Sequence, residues 1–265
     1  MHAALKCAMM LPIVSLIGCT DAAGPEGQGE IRMYLVDSPG SYEKVNIVIT
    51  RVEVHKENTD TASGWFVINS VPGTYDLLQL RNGVSAVLGS SKLDAGRYTQ
   101  IRLIIGEGSH VVINGANKPL KVPSGMQTGL KLVHGFQIEA GSLYELILDF
   151  DAERSVVRLG GPVGGEEFIL KPTVRVQAVV TSGSISGTVL PVAAKASVWT
   201  TVGQDTVFTT ADTTSGAFKL VALPEGTYTL RFTPSNTAYR DTTISGVAVV
   251  KQQDKNIGTI TLSAK

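Results

Sequence analysis

Apolar and polar residues alternate along most of this chain with a period of two, the signature of half-buried strands. Ile31, Met33 and Leu35 alternate with Arg32 and Tyr34 and stop at Asp37-Ser38-Pro39-Gly40, a strand followed by a turn. Val45, Ile47 and Ile49 share one parity, whereas Val52 and Val54 take the other. A one-residue slip near Thr50-Arg51 is what a β-bulge produces. The same reading predicts strands at residues 65–68, 99–105, 110–113, 127–132, 144–152, 168–170 and 173–179. One stretch departs from it: Val84, Val87 and Leu88 have helical spacing after Asn82-Gly83 and predict a short helix.

A polar segment, Thr181-Ser182-Gly183-Ser184, reads as a hinge between a first domain at 31–180 and a second at 184–265. The second predicts strands at 185–190, 196–201, 206–210, 217–220, 227–233, 247–250 and 256–262, short and evenly spaced as a small sandwich requires. Gly73-Thr74-Tyr75, Gly96-Arg97-Tyr98 and Gly226-Thr227-Tyr228 each set a turn glycine two residues before a tyrosine that opens a strand. Each ring is expected to be buried at a sandwich edge with its hydroxyl wet. The fold class that follows is all-β: two β-sandwich domains with immunoglobulin- or transthyretin-like turns.

The N-terminal residues carry a different signal. His2 and Lys6 precede an apolar run from Ala8 to Ile17, shorter than the about 20 residues a membrane helix needs. Leu16, Ile17, Gly18 and Cys19 close it as a lipobox. Residues 1–18 are thus expected to leave as a lipoprotein signal peptide, and Cys19 to take a covalent lipid. Residues 19–30 form a flexible tether, of which about 10 residues give an r.m.s. reach of roughly 18 Å. Two acyl chains, at about 0.8 kcal/mol per buried methylene, would hold the body on a membrane. Thr20 at the next position favours the outer membrane over the inner in a Gram-negative envelope, although Asp21 blurs the signal.

Composition narrows the partners. The chain has two cysteines, Cys7 and Cys19, so the processed body has no pair to oxidise. Without the leader, 22 basic side chains face 23 acidic ones, which leaves no electrostatic footprint for nucleic acid. Asp149 and Asp151 share a strand face opposite Leu146, Leu148 and Phe150. Joined by Glu145 or Glu153 they would hold calcium; as a structural face they would pair with Arg51, Arg102 or Lys171. Trp65 and Trp199, with Tyr228 and Tyr239, are candidates for stacking on sugar rings. His55, His110 and His134 have no metal-ligand spacing and read as exposed or edge-strand residues. No nucleophile elbow or phosphate loop is present, and Gly160-Gly161-Pro162-Val163-Gly164-Gly165 reads as a hairpin loop.

Two resemblances rest on particular residues. Gly187-Thr188-Val189, 213–218, Leu223-Pro224-Glu225-Gly226-Thr227-Tyr228 and the terminal 256–262 segment resemble the carboxypeptidase regulatory-like domain, a transthyretin-like accessory module of bacterial surface proteins. Residues 36–40, 45–54, 75–78, 95–103, 148–152 and 170–172 resemble a bacterial lipoprotein domain of unknown function (family 4382). A related pilus module forms a lysine–asparagine bond, but Arg231 and Phe232 stand where its glutamate would be, and Asn256 has no lysine partner. The lipobox, the accessory-type second domain and the lack of a catalytic constellation imply a non-enzymatic, lipid-anchored protein of the bacterial cell envelope whose partner is a glycan or another envelope protein. A glycan-binding surface module and a calcium-stabilised adhesion-type module are the alternatives.

Overall fold

The computed structural model of the chain describes residues 27–38, 42–60, 62–123, 128–160 and 166–265. The lipobox Leu16, Ile17, Gly18 and Cys19 lies outside them, as does most of the glycine-rich segment after Gly160.

The first sandwich is built from β1 (Gln28–Ser38), β2 (Lys44–Lys56), β3 (Trp65–Asn69), β4 (Gly73–Asp76), β5 (Ala86–Asp94), β6 (Gly96–Ile105), β7 (His110–Ile113), β8 (Ala116–Lys121), β9 (Leu130–Ile138), β10 (Leu143–Asp151), a one-turn helix α1 (Ala152–Ser155), β11 (Val156–Leu159), β12 (Glu167–Leu170) and β13 (Val174–Ala178). One sheet runs β13-β10-β1-β5, with β1 and β10 parallel. The other has nine strands, β11-β12-β8-β7-β2-β6-β9, with β3 and β4 also paired to β2. The second sandwich comprises β14 (Ser182–Leu190), β15 (Ala196–Val202), β16 (Asp205–Thr210), β17 (Ala217–Pro224), β18 (Gly226–Pro234), β19 (Thr242–Val249) and β20 (Asp254–Thr261). Its sheets run β17-β14-β20 and β16-β15-β18-β19.

Alternation explains the cores. Ile31, Met33 and Leu35 of β1 are fully buried against Val45, Ile47, Val52 and Val54 of β2, and each such side chain contributes roughly 1.5–3 kcal/mol. The parity change in β2 is a bulge, seen as a register slip against β6 between Ile49 and Arg51. A second core, from Ile185 to Leu262, shares no residue with the first.

Several expectations are corrected. Val84, Val87 and Leu88 do not form a helix: Asn82 and Gly83 both take positive φ (55° and 85°), and the chain then pairs as β5 along β1. Leu88 is buried while Val84 and Val87 remain exposed. The strand expected at 127–132 is β9, displaced toward the C-terminus. The polar segment 181–184 is not a free hinge, since a single 3-10 turn (Val179–Thr181) leads straight into β14. A Cβ on Gly183 would run into the Val250 carbonyl oxygen, so the backbones meet too closely for any side chain. The tyrosine hydroxyls are not simply wet. Tyr98 donates to the Asp94 carbonyl (3.0 Å) and Tyr228 to the Pro224 carbonyl (2.7 Å), the same bond four residues back in each sandwich. Burial pushes the Tyr98 phenol up to about 12.

The sandwiches dock through the β16 and β17 edges of the second, which leaves β19 and β20 on the opposite side. Asn82 is the central contact. Its amide donates to the Thr210 carbonyl (3.0 Å), and its Oδ1 accepts from the Thr209 hydroxyl (2.6 Å) and the Lys219 N–H (3.3 Å). Asparagine tolerates the left-handed backbone this position needs. Covering two strand edges also removes two templates for unwanted pairing.

Candidate functional site

Two regions gather chemistry-bearing side chains: the seam between the sandwiches and the outward face of the nine-stranded sheet.

At the seam, β10 ends with Asp149 and Asp151 on one face, as the strand alternation requires, and both are buried. Asp149 faces Arg175 in register and accepts from its Nη2 (2.8 Å), while Nη1 donates to the Ala222 carbonyl across the seam (2.6 Å). Arg51, Arg102 and Lys171 are thus not its partners, because the pairing is with the adjacent antiparallel strand. Asp151 caps α1 by accepting from the Arg154 N–H (2.9 Å), and burial raises its carboxyl. Asp37, at the end of β1, accepts from the Ala152 N–H (3.0 Å) with Oδ1, but its buried Oδ2 has no partner. Burial pushes Asp37 well above the usual carboxylate range, with Asp149 and Asp151 adding repulsion. Glu145 turns elsewhere, to the Tyr34 hydroxyl (2.7 Å). Among the described residues, no group of three or more histidine, cysteine or acidic side chains is arranged to hold a metal. The seam is thus a structural clasp in its contacts, with at its centre an acid whose carboxyl is raised by burial.

On the nine-stranded sheet, the register across β3, β2, β6 and β9 sets two outward rows. Trp65, His55, Gln100 and Val133 form one, and Val67, Glu53, Arg102 and Lys131 the other. Arg51 and Arg102 both reach the buried Glu53 carboxylate. The Arg102 guanidinium lies 4.0 Å from the centre of the half-buried Trp65 ring, and Lys131 lies 5.8 Å away. His55 meets the same ring edge-on at 5.0 Å. Val133, 88% exposed, and Val67, 46% exposed, flank this arrangement. A guanidinium held by a carboxylate and stacked on an indole makes a stiff platform, each cation–π contact being worth about 0.5–1 kcal/mol. Sequence reading picked out Trp65 but named Arg102 only as a partner for the aspartates and missed Glu53 and Lys131; the three lie on three different strands.

Trp199 does not join Trp65. It lies on β15 of the second sandwich, where its indole donates to the Thr233 hydroxyl (3.3 Å) beside Arg231 at 5.1 Å. Tyr228 and Tyr239 pack on the second core rather than completing a sugar platform. The histidines stay apart. His55 is buried on a central strand, which corrects its reading as an exposed or edge-strand residue. His110 sits between the Gly108 carbonyl (2.9 Å from Nδ1) and the Asn46 amide (3.1 Å from Nε2). Because a carbonyl only accepts, the proton resides on Nδ1. Burial lowers the pKa of His134. Asn256 uses its Oδ1 to accept from the Gly258 N–H (2.7 Å).

The fold and these sites define an all-β protein of two sandwich domains. The chain belongs to the family described as "Domain of unknown function (DUF4382)", which matches residues 28–172. No curated protein matches it. Among solved structures it is similar to a type II cohesin–X-dockerin complex of Acetivibrio cellulolyticus, at 25% identity over 31% of this chain and 58% of that one, with a TM-score of 0.26. It is similar at 11% identity to GBS52, the minor pilin of Streptococcus agalactiae, over 88% of this chain and 96% of that one (TM-score 0.26). The major pilin subunit BcpA of Bacillus cereus is 12% identical over 90% and 100% of the two chains (TM-score 0.26).

Proposed function

We propose that this protein is a lipid-anchored, non-enzymatic interaction module of the bacterial cell envelope. Cys19, within the lipobox, carries the lipid, and Thr20 favours the outer membrane over the inner where the envelope is Gram-negative. The second sandwich acts as a carboxypeptidase regulatory-like accessory domain. The observation that carries the reading is the contrast between its polar groups. Glu53, Asp149 and Asp151 are committed to guanidinium or backbone N–H partners, whereas the Trp65 face presents aromatic, cationic and aliphatic groups on four hydrogen-bonded strands. Such a face suits recognition rather than bond-making, since it offers a plane and no nucleophile beside a base.

Replacing Cys19 with Ala in the full chain tests the anchor: the protein is expected to leave the detergent phase, and unchanged partitioning removes the reading. The Trp65 platform favours a glycan as the ligand over a calcium-stabilised module. The body beginning after Cys19 is expected to be retained on envelope polysaccharide, and Trp65→Ala to weaken retention about tenfold, as loss of a central aromatic anchor does. Retention that ignores Trp65→Ala disposes of the glycan reading.

A further inference from the structure

We infer that the lipid surface faces the pole of the first sandwich formed by the β5–β6 and β9–β10 turns, and that the second sandwich is held on the far side of the molecule. The inference rests on the lipid anchor proposed above and adds an orientation that the anchor alone does not specify.

The chain is gripped from Gly27 onward. The Gly27 carbonyl accepts from the Ala95 N–H (2.8 Å), the Gln28 carbonyl from the Gly141 N–H (2.9 Å), and the Ser142 carbonyl from the Glu30 N–H (2.8 Å). Residue 27 thus emerges between the two turns, and no slack remains beyond it. From Cys19 to Gly27 the backbone spans at most about 28 Å when fully extended. Everything at this pole is therefore confined near the headgroups.

The second sandwich meets the first at the other end of β1. Val221 shares a cavity with Tyr34, Val36 and Ile147, and Asn82, Asp149 and Arg175 mark the seam. The contacts named lie six or more residues along β1 from Gln28, about 20 Å at 3.3 Å per residue, while Glu145 on the same cavity is level with Arg32, four residues along. Because the second sandwich docks by its β16 and β17 edges, β19 lies three strand spacings from the seam, about 14 Å. The clasp at the seam prevents it from folding back toward the lipid.

The processed body is free of other cysteines, so single labels are straightforward. The lipidated full chain, carrying a fluorophore at Glu139→Cys (β9–β10 turn) or at Thr243→Cys (β19), is reconstituted in phosphatidylglycerol–phosphatidylethanolamine vesicles with a headgroup quencher; both sites are exposed. The label at 139 is expected to be quenched about threefold more than that at 243, given a tether of at most about 28 Å. Inserting about 20 Gly/Ser residues into the tether adds roughly 70 Å to that limit and should erase most of the difference. Protein that sediments with vesicles but shows equal or reversed quenching overturns the orientation and leaves the anchor standing. Protein that does not sediment removes the anchor, and the orientation with it.

Discussion

The two sandwiches handle buried polarity in opposite ways. In the first, Asp37, Glu53, His55, Asp149 and Asp151 are all buried. In the second, the buried polar side chains are hydroxyls, Ser182, Thr200 and Thr209, each with a hydrogen-bond partner. A buried hydroxyl costs little once bonded, whereas a buried charge demands a partner of opposite sign or gives up its charge. The first sandwich therefore holds the residues whose replacement and titration should matter. The second is expected to behave as an ordinary hydrophobic sandwich docked against it.

The comparison breaks hardest at Arg175. Removing it by Arg175→Ala strands the buried Asp149 carboxylate and takes the donor from the Ala222 carbonyl. A loss of about 3–5 kcal/mol is expected, read as a lowered denaturant midpoint. Thr200→Val in the second sandwich, which removes only the bond to the Thr229 carbonyl, should cost about 1 kcal/mol. Equal losses would mean that the buried charges are not where stability concentrates.

A smaller effect sharpens the contrast with matched groups. Tyr98→Phe and Tyr228→Phe delete the same bond to a carbonyl four residues back. Tyr98 is fully buried and stacks on Phe136, whereas Tyr228 is half-buried at the rim. The first change should cost about 1.5 kcal/mol and the second about 0.5, because water replaces the lost partner only at the rim. Paired thermal melts decide between unequal and equal costs.

The last prediction concerns pH. The Asp37 carboxyl is raised by burial in the folded state, so the folded chain binds a proton that the unfolded chain has already released. Stability from this group is whole below the unfolded value of about 3.9 and is lost as pH climbs through the folded-state value. Asp37→Asn should flatten that decline in melting temperature. A slope identical to the parent protein would assign the pH dependence to another group.

Much of this was legible along the chain. The bulge in β2 is visible because Ile49 and Val52 cannot share a face without an extra residue. All seven strands of the second sandwich follow from alternation and turn glycines. Asp149 and Asp151 were placed on one face by strand geometry alone. Other features were not legible, for an identifiable reason in each case. The helical spacing at Val84, Val87 and Leu88 was overridden by pairing of β5 with β1, an interaction between residues some fifty positions apart (Leu35 with Ala86). The platform at Trp65 needs Glu53, Arg102 and Lys131 from three other strands, and no local pattern indicates which strands become neighbours. Asn82 reads as a turn residue, yet most of its bonding is to a different sandwich.

Period-two patterning, turn residues and composition determined by themselves that this protein is all-β, where most of its strands lie and which of their apolar side chains face inward. Those properties depend on each residue and its nearest neighbours in sequence. Tertiary structure alone decided which carboxylate meets which guanidinium, that Asp37 is sealed in without a second partner, and that the two sandwiches are clasped rather than hinged. These depend on the pairing order of strands and on desolvation, both set by the whole packed chain.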